Sequence, residues 1–164
     1  MSHFTAIKTN GKLTSPEVLV KALADLGFKD VTAHETPQAL ADYYQVRGGA
    51  ARSTQKANVI VPWTSNKTRC SSDFGYLQQG EELLLVADEM DGRRLQNLSD
   101  QLQQAYNQHK ISAMEAEIMA TAPKLNKGVP IIERTQVDGK ICLKIAYPAD
   151  IRQQNQQIQQ QLRR

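Results

Sequence analysis

The hydrophobic pattern changes period along this chain, and each change marks an element. From Phe4 to Lys8 the side chains alternate, with Phe4, Ala6 and Lys8 on one side and Thr5, Ile7 and Thr9 on the other. That period of two is the mark of a strand. Asn10-Gly11 is a turn signal. The period then becomes helical, with Val18, Leu19, Ala22, Leu23 and Leu26 on one face. Ser15 stands at the N-cap of this helix, Pro16 at its first position and Glu17 near the positive dipole end. Gly27 stands where a left-handed cap belongs.

Val31 to Glu35 alternates again and predicts a second strand. The stretch from Thr36 to Tyr44 is ambiguous: Gln38 to Asp42 suits a short helix after Thr36-Pro37, and Gly48-Gly49 breaks it. Ala57 to Trp63 reads as a strand whose end Pro62 places at an edge or bulge. Thr64 to Asp73 is polar and turn-like. Tyr76 to Gln78 and Glu82 to Ala87 predict an antiparallel pair joined through Gln79-Gly80.

A long helix follows, with Asp91 as its cap. Its apolar positions are Leu95, Leu98, Leu102, Ala105, Tyr106, Ala113, Ala116 and Met119, with a bend expected at Ile111-Ser112 and Pro123 beyond the end. Val129 to Thr135 and Lys140 to Tyr147 flank Asp138-Gly139, a strong hairpin signal. Beyond Pro148 the chain is dominated by glutamine, with Ile151, Ile158 and Leu162 at helical spacings. A helix with so thin a stripe needs the core or a partner. The pattern predicts an α+β fold, a mostly antiparallel sheet with two main helices packed on one face. Residues 1–148 form one domain in this reading, and residues 149–164 a Gln-rich C-terminal tail or helix.

Composition narrows this only slightly. The 164 residues carry a net charge of +3, with 40% hydrophobic and 23% charged residues, ordinary values for a globular chain. An anionic partner is permitted rather than demanded. Cys70 and Cys142 match no metal spacing and no disulfide framework, which with the lack of a signal peptide points to a reducing, cytoplasmic compartment. The longest apolar run, Leu83 to Ala87, is far too short for a membrane span, so no membrane insertion is expected.

One loop has chemistry worth testing. Arg47, Gly48, Gly49, Arg52, Ser53, Thr54 and Lys56 combine glycines, which let backbone N–H groups face one concavity, with basic and hydroxyl side chains suited to an anion or a partner. The bland alternative is a solvated surface loop. The Gly-Lys-Ser/Thr ending of a nucleotide-binding P-loop is missing. Tyr43, Tyr44 and Trp63 lie near in sequence, and Lys67 and Arg69 follow, a composition that also suits RNA. His3, His34 and His109 form no ligand pair, and His109 with Lys110 belongs on the polar flank of the long helix. Cys70 reads as a surface thiol and Cys142 as a structural strand residue. Asp88, Glu89 and Asp91 lack the spacing of a calcium loop. No catalytic set, metal site or cofactor motif is present in the sequence, so the expectation is a binding or adaptor protein rather than an enzyme.

The Met1-Ser2-His3-Phe4-Thr5 opening with Ile7-Lys8-Thr9, the Leu19 to Phe28 helix end, and Val46-Arg47-Gly48 leading into Ala57 to Val61 carry a resemblance. Phe74-Gly75, Leu84 to Asp88, Tyr106 with His109-Lys110, and Val137-Asp138-Gly139 continue it. Over about residues 1–147 the chain resembles the hypothetical chloroplast open-reading-frame proteins of cyanobacteria and red-algal plastids, a family of unknown function. It departs at Gly49-Ala50-Ala51, where the family has an aromatic residue and a glycine, at Thr64 to Ser72, and in the glutamine-rich tail. The resemblance implies a cyanobacterial or plastid protein, stromal if organellar, with no established catalytic residues. It also implies gene neighbourhoods that include a ring-type ATPase, a conceivable protein partner for an adaptor. Self-association through the tail is the other contact expected.

Overall fold

The structure, a computed structural model, describes residues 4–7, 12–65, 69–137, 140–153 and 156. The expected Asn10-Gly11 turn, His3, Lys67, the Asp138-Gly139 hairpin tip and, in the glutamine-rich tail, residues 154, 155 and 157–164 lie outside the described residues. The chain is α+β, and it divides into two compact units, Met1–Lys110 and Ile111–Arg164.

The first unit carries five strands, β1 (Phe4–Ile7), β2 (Thr32–Ala39), β3 (Lys56–Val61), β4 (Phe74–Gln79) and β5 (Glu82–Asp88), in the order β1-β5-β4-β3-β2. Every pairing is antiparallel. Helix α1 (Pro16–Asp25) forms as its sequence dictates. Ser15 Oγ accepts from the Val18 N–H at 3.3 Å, and Gly27 closes the helix at φ 85°. Its Leu19, Ala22 and Leu23 are buried in one core with Val59, Val61, Phe74, Tyr76, Leu83 and Leu85 of the sheet. Leu95, Leu102 and Tyr106 of the long helix α3 (Glu89–Thr121) join the same core, so both helices cover one sheet face. On the other face Leu40 and Ala57 pack with Val86, a small second core.

A tyrosine ties the two helices together. Tyr106 is fully buried, and its hydroxyl accepts from the N–H groups of Thr14 and Ser15, each at 2.8 Å. These amides precede α1 and have no helical carbonyl to bond. Replacing Tyr106 by Phe strands both, and the expected loss is about 2 kcal/mol. The check is a lower denaturant midpoint at an unchanged m value.

Several expectations are corrected here. Gln38 and Ala39 belong to β2, not to a helix, and the short helix α2 (Tyr43–Val46) starts one residue after Asp42. Asp42 makes a complete capping box with Gln45, and this local hydrogen bonding sets the helix start. Asp91 is not the cap of α3. Asp88 Oδ1 accepts from the Met90 N–H at 3.0 Å, whereas Asp91 is buried and takes the Ser71 N–H at 2.9 Å. Cys70 is in the core and Cys142 is exposed, the reverse of the expectation. The helix runs through Ile111-Ser112 without interruption, but Ala113, Ala116 and Met119 are exposed. The buried positions of α3 end at Tyr106.

The second unit holds the end of α3, a 3-10 turn at Ala122–Leu125, and the hairpin of β6 (Ile131–Val137) and β7 (Lys140–Ala146). The hairpin is a separate two-stranded sheet, not an extension of the first. Arg134 of β6 holds Glu115 of α3 through two side-chain hydrogen bonds, which keep the Glu115 carboxyl below its usual pKa. Residues 148–153 and 156 are helical, and Asp150 pairs with Lys127 at 3.1 Å. Among the described residues, no helix is long and apolar enough to cross a membrane.

Candidate binding surface

Asp42 organises the candidate loop. Its side chain is only 1% exposed, and it serves two segments at once. One oxygen accepts from the N–H groups of Tyr44 and Gln45, at 3.0 and 2.9 Å, and caps α2. The other accepts from the N–H groups of Arg52 and Ser53, the latter at 2.7 Å. Burial pushes the carboxyl pKa up, but the four amide donors outweigh it, and the net value lies below the ordinary 3.8.

The loop amides therefore already enclose an anion, and it belongs to the chain itself. Gly48, at φ 81°, donates to the Gln45 carbonyl, and Gly49 to the Tyr44 carbonyl, each at 2.9 Å. Ser53 Oγ accepts from the Gln55 N–H at 3.2 Å. Thr54 and Lys56 are exposed, Lys56 at the first position of β3. Of the loop residues the sequence singles out, those that are exposed and charged are Arg47, Arg52 and Lys56.

Two of these are stacked on aromatic rings. The Arg47 guanidinium lies 3.7 Å from the centroid of Tyr43, and that of Arg52 lies 4.0 Å from the centroid of Tyr44. The two rings meet edge to face at 5.6 Å. Cation–π contact holds each guanidinium by its face and leaves the in-plane N–H groups for an acceptor. Neither arginine forms an ion pair with a described residue. Trp63 is 42% exposed, and Asp73 ties its backbone to that of Ala41, just ahead of α2. The two Asp73 oxygens accept from the N–H groups of Ala41 and Trp63, each at 3.0 Å. Arg69 is exposed, at φ 56°, with its carbonyl bound by Arg94.

The remaining titratable candidates do not converge. His109 pairs with Asp25 at 2.6 Å on the exposed flank of α3, and His34 with Thr32 at 3.0 Å on β2. Among the described residues no three His, Cys, Asp or Glu side chains gather as a metal site would require.

A different surface was missed by sequence reasoning. Of the twelve large apolar side chains exposed among the described residues, nine lie in the second unit. Val129 is 68% exposed, Val137 55% and Ile131 50%. Buried residues described in that unit are Ala122 and Pro130 alone. An apolar recess of about 390 Å³ opens among Met119, Ala122, Pro123, Val129 and Pro130. The signal was present in the sequence. Both faces of the β6–β7 pair carry apolar residues, Ile131 and Val137 on one, Ile132, Leu143 and Ile145 on the other. One helix end cannot cover two faces.

No protein-family model, no curated protein and no solved structure gives a significant match to this chain.

Proposed function

We propose that this chain is a binding or adaptor protein, with no catalytic step of its own, that docks a protein partner on the apolar surface of its second unit. The observation that carries this reading is the concentration of exposed apolar side chains in Ile111–Arg164, a unit with almost no buried residues of its own among those described. A two-stranded hairpin is marginal in water without a cover. Apolar side chains left in water in such number are the ordinary mark of a docking site. The glutamine-rich tail adjoins it in sequence. A ring-type ATPase is the partner class that the family resemblance suggests.

The test is lysine-directed cross-linking of the intact chain in its host, read by mass spectrometry at Lys127 and Lys144. Partner peptides are expected at both, and the pair Ile131→Gln with Val137→Gln is expected to remove them. The same pair, being exposed, should change unfolding free energy by no more than about 0.5 kcal/mol. Cross-links that survive the pair would exclude this surface. A solution mass of twice 18.3 kDa that the pair halves would make the occupant a second copy, and the adaptor reading would fall.

A further inference from the structure

We infer that the surface built from Tyr43, Tyr44, Arg47, Arg52 and Trp63 binds single-stranded nucleic acid. Three observations, independent of the apolar second unit, lead there. Residues 43–72 contain five of the 20 Lys and Arg residues and none of the 17 Asp and Glu residues, so the segment is far more basic than the chain's net +3 suggests. The nearest acids in sequence, Asp42 and Asp73, are buried and spend both their oxygens on backbone N–H groups. They fix the segment's shape and leave Arg47 and Arg52 outside with no described ion-pair partner.

Aromatic faces are interleaved with these cations. Each stacked guanidinium presents an outer π-face to a base and an edge to a phosphate, and the exposed indole of Trp63 adds a second stacking platform. A duplex hides its base faces and cannot use such a platform. An acidic polypeptide would satisfy the cations but not the ring faces. With the backbone amides of the loop already bound to Asp42, recognition falls to side chains, which tolerate any base.

The test uses the intact chain and a labelled oligouridylate of about 12 nucleotides, followed by fluorescence anisotropy. Binding should weaken as salt rises from roughly 50 to 200 mM. Arg47→Ala with Arg52→Ala removes two phosphate contacts, so the slope of log affinity against log salt should shrink by about 1.4. Trp63→Ala should weaken binding roughly tenfold or more while the slope stays as in wild type. Ile131→Gln with Val137→Gln should leave binding intact, which separates this site from the docking surface. No binding at the lowest salt, or a wild-type slope in the double arginine variant, would overturn the inference. So would polyglutamate or a duplex displacing the probe as well as the unlabelled single strand does.

Discussion

Asp42→Ala is expected to cost about 3 kcal/mol and to release the chain from Arg47 to Gln55. The estimate combines a lost N-cap, worth about 1 kcal/mol, with two further charge-assisted bonds to amides that the fold leaves partly buried. Because one carboxylate holds both α2 and the loop, the effects arrive together. Hydrogen exchange should accelerate at Tyr44, Gln45, Arg52 and Ser53 in a single step. The linkage to pH follows from the same geometry. The folded carboxyl titrates below the ordinary 3.8. Its contribution is thus complete above the unfolded value and is lost as pH falls through the lower folded one. Asp42→Asn should remove that acid-side loss, and a variant whose acid unfolding tracked wild type would show that Asp42 is not the latch.

Gly75→Val is expected to be the most damaging single change in the sheet. A Cβ at Gly75 would lie 2.5 Å from both the Ala57 Cβ and the Val59 carbonyl oxygen, and 3.2 Å from Leu40 Cδ2. The first two belong to a β-carbon and a backbone atom, so no rotamer relieves them. Gly75 faces Ile60 on β3 and Val86 on β5, in the middle of the sheet. Separating those strands should cost about 4 kcal/mol or more and drive much of the protein into inclusion bodies. Gly75→Ala should show the same defect in milder form. A folded Gly75→Val protein with a wild-type melting temperature would contradict the packing of Leu40 and Ala57 over this position.

The parts legible in the sequence are those set by neighbours along the chain. Helix α1 could be read because Ser15, Pro16 and Gly27 act within a few residues of the helix they bound. The β4–β5 hairpin was legible for the same reason, through Gly80 at φ 61°. What stayed hidden depends on partners far away. Asp42 reaches Arg52 across ten positions, and Asp73 reaches Ala41 across 32, so neither role leaves a local trace. Residue type singles out Arg47 and Arg52, and both are exposed. Residue type alone offers the neighbouring amides to an outside anion, because Asp42, ten positions away, leaves no local sign that it already binds them. Cys70 and Cys142 were exchanged because alternation shows a face but not whether anything covers it.

Strand β2 forms an outer edge of the large sheet, and all eight of its residues are exposed. Its register against β3 jumps between Ala33 and Gln38, with Pro37 inside the jump. Asn58 reaches into that gap and donates to the carbonyls of His34 and Glu35, each at 3.2 Å. An incoming strand would find a kinked rim, a missing N–H at Pro37 and two acceptors already engaged from behind. That border is therefore a poor template for edge-to-edge pairing with another copy, although it is open to water.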